Sequence, residues 1–389
     1  MEEAERLQKL PTYIFATQDK LKAEARKRGA ELIDLGLGSP DHTPPQEVIE
    51  EMIKALRDPS NHRYPSFDGS EEFKQAAIHW VKKQYNVHIV DEEIVPLIGS
   101  KEGLVHLQLA YLNPGDTTLV PMPAYPAHFR GAILSGAEPI VLPTTERTGY
   151  LPNLKIIDES IAKKAKMLFL SYPTNPTGAT VPKEFFEEAI AFSRKHDILL
   201  VHDFAYAELY FDGQKPISIL SIPGAKEVAI EFHTMSKTFG MAGWRCGYAI
   251  GNKKYIESLR SIKTNLDYGL FTAIQKSAVK AFQTDPSYID NVRARYQNRR
   301  DVVLEELSKL GCDNVLKPKG AMYAWFPIPK GFNSYDWMVF LMEKAHVVIT
   351  PGIAFGELGE GYARISLIES EDRLREAFAR MRKAGVRYG

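Results

Sequence analysis

Residues 231–251 read EFHTMSKTFGMAGWRCGYAIG, and they decide which fold is expected for the rest of the chain. Residues 228–234 show the β-branched alternation of a strand, and Lys237 follows the end of that strand. A lysine held there among small residues can act as a nucleophilic amine toward a carbonyl group. Ser236 and Arg245 offer a hydroxyl and a guanidinium, which together suit a phosphate ester. A solvated surface lysine is the alternative interpretation, and an isolated Ser-Lys pair does not exclude it.

Outward from this stretch, short apolar runs alternate with helical patterns between residues 95 and 250. The predicted strands are 118–120, 139–142, 167–170, 198–202, 228–233 and 248–250. Strands that alternate with helices predict an α/β fold, with a mainly parallel, doubly wound sheet covered on both faces. In such sheets, ligands bind at the carboxyl ends of the strands.

The remaining segments predict a second, smaller α+β domain. Helices are predicted at 18–28, 253–283, 287–310, 334–345 and 371–383, and strands at 31–37, 322–326, 347–350 and 363–367. We expect three regions along the chain. Residues 1–45 form an N-terminal arm and part of the small domain, residues 46–284 form the large domain, and residues 285–389 form the small C-terminal domain.

The composition is that of an ordinary globular protein without net charge. Lys plus Arg and Asp plus Glu each number 49, so no charge excess favours nucleic acid or an acidic membrane. Two cysteines, Cys246 and Cys312, argue against a disulfide scaffold and for a reducing compartment. The opening MEEAERLQKL lacks a signal-peptide pattern, and no apolar run reaches the roughly 18 residues that span a bilayer. We expect a cytoplasmic protein that binds neither nucleic acid nor membrane.

The run SKTFGMAGWRCGYAIG resembles the lysine motif of the class I/II aminotransferases, which are fold-type I enzymes that depend on pyridoxal 5′-phosphate (PLP). Further matches extend from Asp34 to Ile365, so the resemblance covers nearly the whole chain. It implies that residues 46–284 bind PLP and that Lys237 forms a Schiff base with it. By the same resemblance, Ser236 and Arg245 contact the PLP phosphate.

Two further motifs match family positions for the PLP phosphate and ring. GSKEG, at 99–103, opens a helix predicted over 104–112, where free N–H groups attract anions, although a simple serine cap is the alternative. The resemblance assigns Ser100 and Lys101 to the phosphate, and we expect Glu102 to face away from it. Tyr125, in PMPAYP, is either an ordinary packed tyrosine or, as in the family, the aromatic that stacks on the cofactor ring.

Three polar residues match family positions around the pyridine ring. Asn175 lies in PTNPTG, where an Asn-Pro turn is the alternative, and the resemblance implies a bond to the ring 3′-oxygen. Asp203 and Tyr206 lie in HDFAYAE, where a helix cap is the alternative for the aspartate. In the family, this aspartate keeps the ring nitrogen protonated so that the ring accepts electrons, and the tyrosine contacts the 3′-oxygen.

The last matches concern the substrate and a second subunit. Arg364, in YARISL, suits a structural ion pair on spacing alone, but the resemblance assigns it to the substrate α-carboxylate. Asn175 and the loop at Gly38 are expected at the same end of the substrate. Tyr64, in HRYPSFDG, matches the tyrosine that reaches the phosphate of the neighbouring subunit. The resemblance therefore implies a homodimer with shared active sites.

Other functional classes fit the sequence less well. A β-lyase or a decarboxylase on the same fold stays open, although an arginine that holds the carboxylate disfavours decarboxylation. A PLP-binding transcription regulator would add a basic DNA-binding region, whereas this fold begins by about residue 30. An oxidoreductase is disfavoured because GLG at 36–38 is too short for a dinucleotide fingerprint. The absence of HExxH and CxxC motifs predicts no metal site.

The sequence thus predicts an aminotransferase that moves an amino group between an L-amino acid and a 2-oxo acid, with Lys237, Asp203 and Tyr206 as catalytic residues. IGSKEGL, SKTFGMAGWR and NLDYGLFT match the branch of alanine and LL-diaminopimelate aminotransferases. Residues 264–275 contain no Arg or Lys for a second carboxylate, and Phe67 suits a small apolar side chain. We rank alanine with 2-oxoglutarate and glutamate first, LL-diaminopimelate second and aspartate third.

Overall fold

Twelve strands are found in the computed structural model, which describes residues 1–388. They are β1 (Ile33–Asp34), β2 (Ile94–Leu97), β3 (Thr117–Met122), β4 (Glu138–Pro143), β5 (Ala165–Leu170), β6 (Leu199–Asp203), β7 (Ala229–Thr234), β8 (Gly247–Gly251), β9 (Tyr323–Pro327), β10 (Val347–Val348), β11 (Thr350–Pro351) and β12 (Tyr362–Ser366). Seven of them form the main sheet in the order β2-β8-β7-β6-β5-β3-β4. The pairs β2-β8 and β7-β8 are antiparallel, and the other four pairs are parallel. This arrangement confirms the predicted mainly parallel sheet.

Helices connect the strands, and some of them cover the main sheet. They are α1 (Glu5–Gln8), α2 (Ile14–Lys27), α3 (Gln46–Arg57), α4 (Glu71–Tyr85), α5 (Ser100–Tyr111), α6 (Ala127–Leu134), α7 (Glu159–Lys164), α8 (Lys183–His196), α9 (Ala225–Val228), α10 (Met235–Thr238), α11 (Lys253–Leu266), α12 (Thr272–Phe282), α13 (Pro286–Lys309), α14 (Ser334–Lys344) and α15 (Glu371–Lys383). Along β6, Leu200 packs into one apolar cluster and Val201 into another, so this strand is buried on both faces. Burial on both faces explains its continuous apolar sequence. Within residues 1–388, no helix has the length and apolar character needed to cross a lipid bilayer.

Two smaller sheets lie outside the main sheet. One is antiparallel, in the order β11-β12-β9, and the other is the parallel pair β1-β10. Together with α13, α14 and α15 they enclose a separate apolar cluster that includes Trp337 and Phe378. The pairing of β1 with β10 joins the N-terminal segment to this C-terminal region. The predicted boundaries after residues 45 and 284 stay predictions.

Several predicted elements have different bounds in the structure. The strand predicted over 31–37 is only β1, because the Asp34 side chain accepts a bond from the Gly36 N–H at 3.0 Å and turns the chain. The stretch 253–283 is two helices, because Tyr268 has φ +71 and its N–H bonds to the Lys263 carbonyl, which ends α11. The strand predicted over 347–350 is divided between β10 and β11.

A buried carboxylate connects the ends of β6 and β7. Glu231 is fully buried, and its carboxylate lies 2.9 Å from Nδ1 of His202 and 2.8 Å from Nε2 of His233. It also accepts bonds from the Ser218 hydroxyl at 2.8 Å and the Ile219 N–H at 2.9 Å. Burial alone would raise the pKa of Glu231, but the two histidine contacts lower it to about 2. The network therefore contains an ionised carboxylate on β7 that is paired with His202 on β6, with His233 on its own strand and with residues 218 and 219.

Candidate active site

A cavity of about 340 Å³ lies at the carboxyl ends of the parallel strands. Eleven of the twelve residues nominated from the sequence line it. They are Gly38, Ser100, Lys101, Tyr125, Asn175, Asp203, Tyr206, Ser236, Lys237, Arg245 and Arg364. Most of them follow a main-sheet strand that ends at this edge, and β12 of the antiparallel sheet contributes Arg364.

Lys237 lies in α10, the single helical turn that begins directly after β7. The Thr234 hydroxyl accepts a bond from the Ser236 N–H at 3.1 Å, and this cap starts the turn. The Lys237 amine donates to the Gly38 carbonyl at 2.6 Å. Desolvation in the cavity lowers the pKa of Lys237, and neighbouring arginine charges lower it further. The Lys237 ammonium therefore loses its proton more readily than that of an exposed lysine, and the neutral amine can act as nucleophile or base.

An open cradle lies between the start of α5 and Arg245. Gly99 immediately precedes this helix with φ +76, and a Cβ at this position would clash with Nη2 of Arg245 and lie 2.9 Å from its Cζ. Ser100 begins the helix, so its N–H group has no partner within the helix. Free N–H groups at a helix start, facing a guanidinium, suit a phosphate group.

Positive charge dominates the cavity. It is lined by one carboxylate, Asp203, and by four cationic side chains, which are Lys101, Lys237, Arg245 and Arg364. Burial lowers the pKa of Lys101, and the charges of Arg245 and Arg130 add to this effect. A ligand with several negative charges is therefore favoured here.

Asp203 ends β6 and is 4% exposed. One of its oxygens, Oδ2, lies 3.0 Å from Nε2 of His128, whose ring stacks on Phe169. The other oxygen, Oδ1, is buried and has no partner within the described chain. A ligand N–H would satisfy this oxygen. His128 was not nominated from the sequence, although its place one helical turn after Tyr125 in AYPAHFR is a signal that could have indicated it.

The opposite wall contains Arg364, which is 2% exposed. Its Nη1 donates to Oδ1 of Asn175 at 2.9 Å, so the Asn175 amide NH₂ is the group left to donate. The Tyr323 ring lies 4.1 Å from the guanidinium carbon, and its hydroxyl lies 2.9 Å from the Tyr206 hydroxyl. Burial raises the pKa of Tyr206, which keeps its hydroxyl neutral. The sequence did not identify Tyr323 as a site residue, because the aromatic pattern of its strand, β9, indicates only a packed strand.

Tyr64 lies outside the cavity of its own chain. Its side chain is 87% exposed, and its ring lies 5.2 Å from that of Tyr268. The predicted contact with a neighbouring subunit's phosphate requires a second chain, so it stays a prediction.

Glu102 faces away from the cradle, as the sequence predicts. Its Oε2 accepts a bond from the Ile98 N–H at 3.0 Å, and its Oε1 accepts from Nζ of Lys263 at 3.0 Å. Glu102, His106 and Asp267 have potential metal-ligating atoms within 4.8 Å of one another. Lys263 also contacts Asp267 at 3.1 Å, so its ammonium already supplies the positive charge between these carboxylates.

The family described as Aminotransferase class I and II matches residues 30–381. The chain belongs to the class I and II aminotransferases. It is 44% identical to the LL-diaminopimelate aminotransferase of Halothermothrix orenii over 389 residues, covering 100% of both chains. LL-diaminopimelate aminotransferase 2 of Trichormus variabilis is 44% identical over 390 residues, again with 100% of both covered. The structure described as substrate-bound BacF from Bacillus subtilis superposes with a TM-score of 0.96 at 38% identity, covering 100% of this chain and 99% of BacF.

This aminotransferase uses PLP, and three features of the cavity fit that cofactor. The cradle beside Gly99 would hold the phosphate, with Ser100, Ser236 and Arg245 as donors. The unpartnered Oδ1 of Asp203 would accept the pyridinium N–H. The Lys237 amine lies in the same cavity and would react with the aldehyde carbon.

Gly99→Ala is expected to weaken PLP binding by about tenfold or more, equivalent to about 1.4 kcal/mol. The added Cβ would displace the Arg245 guanidinium and fill the cradle. Titration of the apoprotein with PLP, followed by absorbance, measures the effect.

Gly115→Ala is the matched control for this change. Gly115 has φ +90, and nothing lies within 4 Å of its added Cβ, so it carries backbone strain without a clash. Equal PLP affinities of the two variants would contradict the cradle.

Proposed function

We propose that this aminotransferase transfers an amino group from LL-diaminopimelate to a 2-oxo acid. Relatives that are 44% identical over the full chain are named for this activity, and this observation carries the proposal. This similarity supports LL-diaminopimelate over the alanine–glutamate pair that the sequence motifs rank first. Phe67, on which the preference for a small side chain depended, packs against Tyr268 outside the cavity lining of its own chain.

The substrate carboxylate is assigned to Arg364. A guanidinium binds a carboxylate in a bidentate manner, and this one carries a buried Nε without a partner in the described chain. Its contacts with Asn175 and Gly36 fix its orientation before substrate enters. The absence of Arg and Lys at 264–275 removes the second-carboxylate clamp that an aspartate-specific enzyme would use there.

Lys237 is assigned the proton transfers. When bound, PLP supplies an electron sink for the electrons of the substrate Cα–H bond. Lys237 would remove the Cα proton as a neutral amine and return a proton as general acid. Asp203 would keep the ring nitrogen of the bound cofactor protonated, and His128 fixes the orientation of that carboxylate. Tyr206 and Asn175 would donate to the ring 3′-oxygen.

Asp203→Asn is expected to slow removal of the Cα proton by about 10²–10³-fold while changing substrate affinity much less. The amide lacks the negative charge that keeps the ring nitrogen protonated. Single-turnover absorbance measurements give both quantities. Asp203→Glu, which retains the charge, should recover part of the rate, and a near wild-type rate in Asp203→Asn would remove this residue from the mechanism.

The substrate proposal is tested by half-reactions with LL-diaminopimelate, alanine and aspartate. We expect kcat/KM for LL-diaminopimelate to exceed that for alanine by at least about tenfold, or about 1.4 kcal/mol of transition-state preference. The loss of the cofactor's initial absorbance band reports each reaction. A higher kcat/KM for alanine would restore the alternative, while a failure of all three amino acids would leave the aminotransferase family intact and reject this substrate set.

We further propose that the active unit is a homodimer with shared sites. Tyr64, Phe67 and Tyr268 form an aromatic patch, and each of these side chains is at least 44% exposed. Exposed aromatic patches of this kind mark protein interfaces. The patch supports the assignment of Tyr64 to the phosphate of the neighbouring subunit.

Mixing two inactive variants, Tyr64→Ala and Lys237→Ala, should restore part of the activity through hybrid dimers. One of the two sites in such a dimer contains an intact tyrosine and an intact lysine. Activity is measured after the subunits have exchanged, with each variant alone as the control. Full activity of a monomer in dilute solution would contradict the shared arrangement.

A further inference from the structure

The loop of residues 36–43 contacts both cationic groups that the proposed function requires. The Gly38 carbonyl accepts a bond from Nζ of Lys237 at 2.6 Å. The Gly36 carbonyl accepts from Nη2 of Arg364 at 2.9 Å and from the Thr350 hydroxyl at 2.9 Å. Two main-chain carbonyls of one loop therefore help to set the positions of the catalytic amine and the carboxylate-binding guanidinium.

A bidentate ion pair anchors this loop to α13. Nη1 and Nη2 of Arg299 donate to the two Asp41 oxygens at 2.9 and 2.8 Å. Nη1 also donates to the Leu367 carbonyl at 3.0 Å, and the Tyr296 hydroxyl donates to Oδ1 of Asp41 at 3.1 Å. Burial would raise the pKa of Asp41, but the Arg299 bonds and charge outweigh it and lower the pKa, so the pair is ionised. Both partners are held by additional bonds, which makes this a stiff anchor.

The other side of the loop packs on the turn that follows Lys237. Gly240 has φ +66, and a Cβ there would clash with the His42 carbonyl oxygen. The Tyr288 hydroxyl donates to the Thr43 carbonyl at 2.7 Å, which adds a second attachment to α13. The loop is thus held between α13 and the lysine turn, and a shift of Asp41 would be transmitted to both carbonyls.

We propose that Asp41 and Arg299 are positioning residues that align Lys237 and Arg364 through the Gly36 and Gly38 carbonyls. The inference rests on the roles proposed for Lys237 and Arg364 but not on which amino acid is the substrate. Neither Asp41 nor Arg299 lines the cavity, so any effect of changing them on substrate acts through the loop.

The test is Asp41→Asn, which removes the charge and one acceptor of the bidentate pair. We expect KM for the best amino donor to rise by about tenfold, because Arg364 loses the orientation set by Gly36. PLP affinity should stay within about twofold, since the phosphate cradle does not contact the loop. The pH midpoint of the cofactor's absorbance should also shift, because the Gly38 carbonyl no longer holds the Lys237 amine in place.

Asp212→Asn is the matched control, because its partner Arg300 lies on the same helix as Arg299. Arg300 is fully buried and donates to the two Asp212 oxygens at 2.8 and 2.9 Å, so this ion pair is bidentate like that of Asp41 and Arg299. Asp212 is not part of the loop of residues 36–43. A merely structural role predicts that both variants lower the unfolding temperature and leave KM and the absorbance midpoint unchanged. That result would overturn the proposal.

Tyr296→Phe provides a second test if Asp41→Asn does not fold. It removes the hydroxyl that contacts Asp41 at 3.1 Å and Nδ1 of His42, in the same loop, at 3.3 Å, and KM should rise by about two- to threefold. An unchanged KM would overturn the proposal. Lys237→Ala and Arg364→Ala are measured in parallel. Normal turnover of these two variants would reject the roles assigned to Lys237 and Arg364. If these two variants lose turnover but Tyr296→Phe or Asp41→Asn has an unchanged KM, only the positioning role of the anchor is rejected.

Discussion

The Glu231 carboxylate is buried at the centre of the main sheet, where an unpaired charge would be strongly destabilising. Its contact with His202 joins β7 to the neighbouring strand β6, and its contact with His233 lies within β7. His202 immediately precedes Asp203, and His233 lies one residue before the cap of the turn that contains Lys237. The relative placement of Asp203 and Lys237 therefore depends on this buried network and on the parallel register of β6 and β7.

The same strand arrangement explains the electrostatics of the site. Strand ends that meet at one edge bring together four cations and a single carboxylate in one cavity. Desolvation and the neighbouring arginine charges lower the pKa of both Lys237 and Lys101. Under the proposed function, Arg245 serves a phosphate and Arg364 serves the substrate carboxylate.

Much of this site could be predicted from the sequence, because its residues lie in local motifs that follow strands. The motifs around Lys237, Asp203 and Asn175 locate them at the carboxyl edge once the parallel sheet is inferred. The contacts of His128 with Asp203 and of Tyr323 with Tyr206 could not be predicted in this way, because the partners lie 75 and 117 residues apart in the chain. The end of α11 at Leu266 was not predicted either. It depends on the positive φ of Tyr268, and the helical spacing of apolar residues in the sequence shows no interruption there.

The site also depends on how the main sheet and the antiparallel sheet are joined. The bond between Nη1 of Arg364 and Oδ1 of Asn175 crosses from β12 to the loop after β5. A displacement of a few tenths of an ångström between these elements would lengthen that bond and turn the guanidinium. A turned guanidinium would bind a carboxylate less well, because a bidentate contact requires a fixed plane. The loop containing Gly36 and Gly38 contacts cationic groups on both elements through rigid main-chain carbonyls. The orientation of Arg364 is therefore linked to the junction between the two sheets, and this link is what the proposed positioning role of Asp41 and Arg299 requires.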